Sequence, residues 1–562
     1  MIIGDNLLQI SQMKLSVDHT EADIKNKIIK ELELRRIFKD MPYFEYKIIR
    51  RSIDARKKPE IYYIYSVTVL FKTEDIETTV LKKCRNKNVN IYTKSKYIPN
   101  ENINHTCKKR PVIVGEGPAG LFCGLILAKA GLAPIILERG DKVEKRVEKV
   151  ENFWLTGSVD ENTNVQFGEG GAGTFSDGKL NTLVKDKSGM NQYVLDTFVE
   201  HGANPECSYD NKPHVGTDVL RDVVVNIRKE IINLGGNVLH LCKMTGLVGD
   251  SAGLKGAVVE NMSGNNGILD AFEENIKRNE DDSYEILTDD LVLAVGHSAR
   301  DTFDMLYQKG IEIEQKNFAI GVRIQHPQSM IDDSQYGEGH SDLLPPATYK
   351  VTNHTSNNRD VFSFCMCPGG YVVNASSLPG HVCVNGMSYS DRGSVNANSA
   401  LICAIDRKDF GSDHPLSGMY LQEKLEMAAY NAANGNVPIQ LFKDFCEKKT
   451  SEGFGHVEPT FKGNVEFANL WDILPEEICK ALIESINKFG YTIEGFDDSD
   501  AILAAVESRT SSPIKIKRDE NMQSSLKGLY PCGEGAGYAG GITSAAADGI
   551  RVAEAIIKKY MI

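Results

Sequence analysis

The stretch from Arg110 to Gly140, RPVIVGEGPAGLFCGLILAKAGLAPIILERG, constrains this chain more than any other. Strand-type residues Pro111 to Val114 run into Gly115, Gly117 and Gly120 in GxGxxG spacing. An apolar helix follows, and a second strand from Pro134 to Leu137 ends at Glu138. Each part has a physical reason. Gly115 permits the tight turn, Gly117 lets the backbone approach a pyrophosphate, and Gly120 lets the helix pack closely on the strand. The helix N-terminus, opening at Pro118 and Ala119, offers free N–H groups and the positive end of its dipole to phosphates. Glu138 stands about 20 residues past the middle glycine, where an acid can accept ribose hydroxyls. A lone GxGxxG would also suit a glycine-rich turn in an ordinary βαβ unit. Both strands, the helix and the terminal acid together point to dinucleotide binding.

The rest of the chain must be organised around that unit. At 562 residues it is too long for one core and predicts two to four domains. A formal charge of -13 argues against a nucleic-acid backbone as the main partner, because neutralising phosphates needs a basic surface. The longest apolar runs are strand-length or broken by Gly and Lys, so no membrane span is expected. The N-terminus, MIIGDNLLQISQMK, lacks the basic start and cleavage site of a signal peptide, which predicts a cytoplasmic protein. Twelve scattered cysteines, with no CxxC and no paired Cys/His spacing, fit reduced thiols better than a disulfide framework, and no metal site is expected.

Residues 1–100 read as a separate unit: a strand Leu7 to Val17, an amphipathic helix Glu21 to Ile37, strands at Phe44 to Ile53 and Ile61 to Phe71, a helix near Asp75 to Lys87, and a strand Val89 to Tyr92. That order, βαββαβ, is the split ferredoxin-like arrangement. Its basic stretch, Arg50, Arg51, Arg56, Lys57 and Lys58, reads as a solvated edge before an anion site. Residues 108–316 form the first part of the Rossmann-like domain, with a helix Val219 to Leu234, a strand Asn237 to Leu241, an antiparallel excursion near Gly253 to Glu260, a polar loop Glu273 to Ser283 and a strand Leu291 to Val295. Residues 317–507, rich in short strand signals and turns, read as an inserted substrate or cap domain. Residues 508–562 return to the first fold through a strand Leu529 to Cys532 and a helix beginning near Thr543.

Taken together, VIVGEGPAGLFCGLILAKAG, NVQFGEGGAGTFSDGKLNT, FAIGVRIQHPQ, SFCMCPGGYVVNAS, ESRTSSPIKI and YPCGEGAGYAGGITSAAADGI resemble the glutathione-reductase-like FAD-binding flavoproteins. More narrowly, they resemble the family of FAD-dependent dehydrogenases that carries an N-terminal ferredoxin-like domain. The resemblance implies an α/β fold: a Rossmann-like FAD-binding domain with an inserted α+β cap domain and an N-terminal ferredoxin-like α+β domain. It implies bound FAD, with Gly115, Gly117, Gly120, Glu138 and Arg139 holding the ADP half and backbone near Met244 meeting the adenine. Gly168, Gly170, Gly171 and Lys179 would follow the pyrophosphate and flavin, and Gly296 would close the turn beneath. Gly533 and Glu534 fall where related proteins have Gly-Asp on the ribityl chain. Gly541 and Ile542 would bring N–H groups to the flavin O2, where negative charge builds on reduction.

The candidates for chemistry are Lys179, Arg323, His326 and Arg509. Lys179 supplies charge near the flavin, Arg323 and His326 suit an anionic substrate or a proton transfer, and Arg509 suits a carboxylate clamp or a structural bridge to Glu507. Cys365 and Cys367 would share one face of a strand, where a thiolate can relay electrons, though small buried strand residues read the same way. His297 reads as a capping or packing residue, and Tyr538 as a ring that stacks on the flavin or gates access to it. No second GxGxxG unit and no CxxC is present, which speaks against a disulfide reductase. The leading expectation is an FAD-dependent oxidoreductase passing hydride between a small anionic organic substrate and flavin N5, with an unidentified electron donor or acceptor. Two alternatives are an NAD(P)H-dependent flavin hydroxylase and a flavoprotein with structural FAD whose N-terminal domain binds a partner.

Overall fold

The computed structural model describes residues 7–93, 95–182, 185–264, 276–280 and 283–562. At its centre five parallel strands run in the order Leu529–Pro531, Leu291–Leu293, Val112–Val114, Ile135–Leu137, Asn237–Leu239. Alternation sorts their side chains. Ile113, Ile136, Val292 and Tyr530 pack under the helices Pro118–Lys129, Thr217–Asn233 and Ile542–Tyr560. Val112, Val114, Ile135, Leu137, Leu291, Leu293 and Leu529 face an antiparallel excursion built on Cys242–Asp250, Gly253–Asn261 and Tyr284–Leu287. This is a Rossmann-like layering of helices, sheet and a smaller sheet. Part of the polar loop expected from Glu273 to Ser283 lies outside the described residues, and within it Ile276–Arg278 is not loop but a short strand paired with Tyr284–Leu287.

The helix Pro118–Lys129 is apolar on every side because it is wedged between the sheet and the helix Ile542–Tyr560. The wedge is tight. A Cβ on Gly120 would sit 1.9 Å from the Gly115 carbonyl oxygen, and one on Gly549 would sit 2.1 Å from the Ala119 carbonyl oxygen.

Between the returning strands lies a seven-stranded sheet in the order Thr352–His354, Asp360–Cys367, Asn396–Ile405, Phe318–Pro327, Ile502–Glu507, Val437–Leu441, Val465–Phe467. Helices Ser417–Ala432 and Glu476–Gly490 cover it. The central strand Phe318–Pro327 is buried at every position but the last.

At the N-terminal end four antiparallel strands pair in the order Phe44–Lys57, Glu60–Phe71, Leu7–Ser16, Val89–Tyr92, with helices Glu21–Glu31 and Glu74–Lys83 over their buried face. The first helix opens on a capping box between Thr20 and Asp23. It does not continue to Ile37. Leu32 and Leu34 are both fully buried, and residues two apart cannot share one face of a continuous helix, so Glu33 adopts a left-handed φ of 52° and a short helical turn, Leu34–Ile37, follows.

The expected basic edge separates into two parts. Arg56 pairs with Asp54 at the surface, whereas Arg51 reaches across to the central body. Its guanidinium meets the Glu206 and Asp210 carboxylates at 2.6–2.8 Å, and the Arg51 backbone exchanges hydrogen bonds with Tyr209 and Asn211. Two carboxylates on one guanidinium, itself 18% exposed, fasten the N-terminal sheet. Among the described residues no helix is long and apolar enough to cross a membrane.

Replacing Arg51 with Ala leaves Glu206 and Asp210 facing each other unpaired and costs about 1–2 kcal/mol, discounted for partial exposure. Limited proteolysis under native conditions is expected to release the N-terminal sheet from this variant earlier than from the wild type. Equal cleavage rates would show that the contact does not hold the domain.

Candidate functional site

One cavity runs from the glycine turn of the parallel sheet to the wall of the seven-stranded sheet. Gly115, Gly117, Pro118, Ala119, Glu138, Arg139 and Met244 line its inner end. Gly168, Gly171, Gly296, Glu534, Gly541 and Ile542 line its length, and Phe364, Cys365, Asn385, Glu507 and Arg509 close the far end.

The glycine turn is organised by Glu138. Its carboxylate accepts N–H bonds from Glu116, Gly140 and Gly168, each at 2.9 Å, and so ties the glycine turn, the end of the second strand and the NVQFGEGG segment into one cradle. A carboxylate has about four acceptor positions, so roughly one remains for a ribose hydroxyl. Arg139 is held by Asp301 and Asn162 and lies over the Phe167 ring at 4.2 Å.

Three features fit an extended anionic cofactor such as FAD. A Cβ on Gly117 would meet nothing nearer than Gly171 Cα at 3.9 Å, and one on Gly296 or Gly541 would meet nothing within 4 Å, so the backbone there is bare toward open space. The helices Pro118–Lys129 and Ile542–Tyr560 both begin on this cavity without side-chain caps, leaving first-turn N–H groups for a ligand. Finally, Arg139 Nε and His297 Nε2 are buried without partners, while His297 Nδ1 lies 3.1 Å from Glu534 Oε1. Buried polar atoms are rarely left unmet, and the polar groups of a ligand would meet these.

Other residues singled out in the sequence stand one layer back. Gly120 serves helix packing. Gly170, at φ 82°, donates its N–H to the Glu116 carbonyl, and Gly533 donates to the Asp548 carboxylate. Lys179 is 2.6 Å from Asp177 and reaches the Met366 carbonyl in the cavity wall; burial works against its charge, but Asp177 and the neighbouring thiols keep its pKa raised.

Arg323 is fully buried and bonds Glu507, Asn398, Asn385 and the Cys365 carbonyl; it reaches the cavity only through those partners. His326 does not share the cavity. It is fully buried against Phe496, whose carbonyl it meets at 2.8 Å, and burial pushes its pKa down to about 4, so it stays neutral. Tyr538 also faces elsewhere, bonding the Ile516 carbonyl under the Arg518 guanidinium.

Arg509 lines the cavity, but its partner is Glu426, not Glu507. Glu426 is fully buried in the helix Ser417–Ala432 and is clamped by Arg300 and Arg509 together at 2.7–3.0 Å. Burial alone would raise its pKa; the two guanidiniums hold it well below the usual carboxylate range. Glu423 stands 3.9 Å from Arg300 on its other side, and Ser298 and Ser377 accept from Arg509, so the cluster brings a buried guanidinium to the cavity wall with its charge locally paired. Sequence reasoning missed Glu426. The available signal was an acid on the inward face of an otherwise ordinary helix, between Gln422 and Ala429.

The chain is similar to several known proteins. The profile of a family described as "FAD-dependent protein, C-terminal domain-like" matches residues 317–510, and that of a domain of unknown function matches 7–70. A protein of Clostridium beijerinckii, described as uncharacterized, is 42% identical over 558 residues, covering 98% of this chain and 99% of its own. Among solved structures, the glycerol-3-phosphate dehydrogenase of Bacillus halodurans complexed with FAD is 13% identical, covering 80% of this chain and 65% of that one, with a TM-score of 0.34. A geranylgeranyl bacteriochlorophyll reductase-like protein of Thermoplasma acidophilum is also 13% identical, covering 80% and 78%, with a TM-score of 0.34. Likenesses this distant assign no chemistry.

Gly117→Val is expected to abolish flavin binding without unfolding the protein, because the added atoms enter the cavity and not the core. The purified variant should lack absorbance near 450 nm while its circular dichroism matches the wild type; stoichiometric FAD in the variant would overturn the cradle. Stability should also depend on His326. Its folded pKa of about 4 lies below the unfolded value near 6.5, so between them the unfolded chain binds the extra proton. Its contribution is complete above pH 6.5 and is lost as pH falls toward 4, with a slope of at most about 1.4 kcal/mol per pH unit. Urea unfolding across this window should be less pH-dependent in His326→Gln, whose amide can still donate to the Phe496 carbonyl.

Proposed function

The chain belongs to the FAD-dependent protein family that it shares with its Clostridium beijerinckii relative and is an FAD-dependent oxidoreductase; from that premise we propose that it passes a hydride between a small anionic organic substrate and the flavin. FAD, when bound, supplies reversible two-electron chemistry. The chain's own residues must orient the substrate, exclude water and balance charge.

The observation that carries the substrate class is the Arg300–Glu426–Arg509 cluster. The Arg509 guanidinium is buried, so water screens it weakly, and it lines the same cavity that the glycine cradle lines. A carboxylate or similar anion is the complement of such a wall. Asn385 and Glu507 add hydrogen-bonding groups beside it. Burial raises the Glu507 pKa more than the Arg323 guanidinium lowers it, which makes this carboxyl a candidate for moving a proton to or from the substrate. At the opposite wall the uncapped helix start at Gly541 and Ile542 favours negative charge. Twelve unpaired cysteines fit a cytoplasmic setting.

Two measurements test this reading. The purified protein should be yellow, and anaerobic addition of NADH and then NADPH distinguishes a nicotinamide donor, which bleaches the flavin bands, from an organic or protein donor, which leaves them intact; a colourless protein that FAD cannot reconstitute would sink the reading. Small carboxylates such as acetate and succinate should perturb the flavin spectrum of the wild type. In Arg509→Met, where Glu426 keeps Arg300 as its partner, they should bind at least about tenfold more weakly, or about 1.4 kcal/mol. Unchanged affinity would remove Arg509 from the substrate site.

A further inference from the structure

The strand Asp360–Cys367 does not run evenly along its neighbour. Phe364 pairs with Ala400 and Cys367 with Asn398, so Cys365 and Met366 together oppose Ser399 in a bulge. Within it Cys365 adopts a left-handed φ of 44°, unusual for a residue with a Cβ and held only where surrounding contacts fix it. Those contacts are visible. The Cys365 carbonyl accepts from Arg323 Nη1 at 2.9 Å and from the Cys367 thiol at 3.3 Å, while the next carbonyl, that of Met366, accepts from Lys179. The bulge sets Cys365 on the cavity wall beside Glu507 and Arg509, with Cys367 fully buried behind it.

We propose that Cys365 and Cys367 form a dithiol–disulfide couple that exchanges electrons with the flavin end of the cavity. This rests on the flavin reading of that cavity. In the oxidising direction the Cys367 S–H bond breaks, one S–S bond forms with the Cys365 thiolate, and two electrons and one proton pass to oxidised FAD, which is reduced to its anionic form; the reverse returns them.

Several features favour exchange over inert packing. The neighbouring Cys367 thiol, against the effect of burial and with help from Lys179 and Arg323, holds the Cys365 thiol well below its usual range. Burial pushes Cys367 up, so the pair divides into a thiolate at the cavity and a protonated partner behind it. Arg323 Nη1 also lies 3.8 Å from the Cys367 sulfur, so cationic groups reach both residues of the pair. Cys383, Cys403, Cys479 and Cys123 are buried too, but burial raises each of their pKa values, as expected of inert thiols. Only Met366 separates Cys365 from Cys367, so the ring closed by the disulfide is small and needs the bulge to form.

The test uses the full-length FAD-bound protein, oxidised with glutathione disulfide and desalted. Anaerobic dithionite titration should consume about four electrons per flavin in the wild type and about two in Cys365→Ser or Cys367→Ser, both still yellow. In parallel, denaturing alkylation followed by mass spectrometry of the tryptic segment 360–392 should leave Cys365 and Cys367 of the oxidised wild type unmodified until a reductant is added. That measurement needs no variant. A yellow wild type that takes up only two electrons, with both cysteines alkylated, overturns the couple and leaves the flavin reading standing. A wild type that binds no flavin overturns both.

Discussion

The cavity depends on one buried carboxylate. Glu138 draws N–H groups from three separate segments onto its two oxygens and so adds one shared side-chain anchor to the backbone bonds that join the glycine turn, the end of the second strand and the NVQFGEGG loop in pairs. The residue that a dinucleotide-binding pattern assigns to a ribose therefore has an earlier duty, to hold the backbone bare and in place. The glycines then divide by role. Gly120 lets the first helix close on the glycine turn and its strand, and Gly549 lets the last helix close on the first, until any Cβ would collide with backbone; that closeness aims uncapped helix starts into the cavity. Gly117, Gly296 and Gly541 border space instead of neighbours.

The far end of the cavity is held by a different force. Arg300 follows the strand Leu291–Leu293 of the parallel sheet, Glu426 lies on a helix covering the seven-stranded sheet, and Arg509 sits where the chain crosses back between them. Their cluster joins the two sheets with buried charge. Removing one guanidinium leaves a neutral pair, whereas removing the carboxylate leaves two like charges a few ångströms apart, so Glu426 is the member that the fold can least lose. Arg509 belongs to this cluster and also lines the cavity, so one side chain serves the join between sheets and faces the ligand space.

Legibility followed the range of the interactions. The glycine turn, its helix and its terminal acid lie within a few dozen residues, and each local requirement restricts residue type, so the FAD-binding fold could be read from them. The strand Phe318–Pro327 offered no such help. It is central and covered on both faces, so alternation does not distinguish a residue aimed at the cavity from one aimed at the core. Arg323 and His326 look equivalent in GVRIQHPQ, yet one bonds cavity-lining Glu507 and the other packs on Phe496. Arg509 had an acid two residues away to suggest its partner, but the backbone turns Glu507 to Arg323, and the true partner lies 83 positions earlier. Short-range patterns cannot carry pairings of that separation. The break at Glu33 was readable in principle, from two leucines spaced for two different faces.

The wall around Cys365 and the interface of the N-terminal sheet are linked through Asp177. This carboxylate is buried and takes a hydrogen bond from Ser388, with Lys179 at 2.6 Å, His214 at 3.5 Å and Arg392 at 4.0 Å. Lys179 points to the bulge, while His214 and Arg392 line a second cavity against which Arg51, Arg56 and Lys58 of the N-terminal sheet stand. Burial pushes the His214 pKa down to about 4, so the charge balance at Asp177 falls to Lys179 and Arg392. Moving the N-terminal sheet would change the solvation of Arg392 first and, through Asp177, the hold on Lys179. The docking made by Arg51 therefore bears on the electrostatics of the cavity wall as well as on the stability of the domain it fastens.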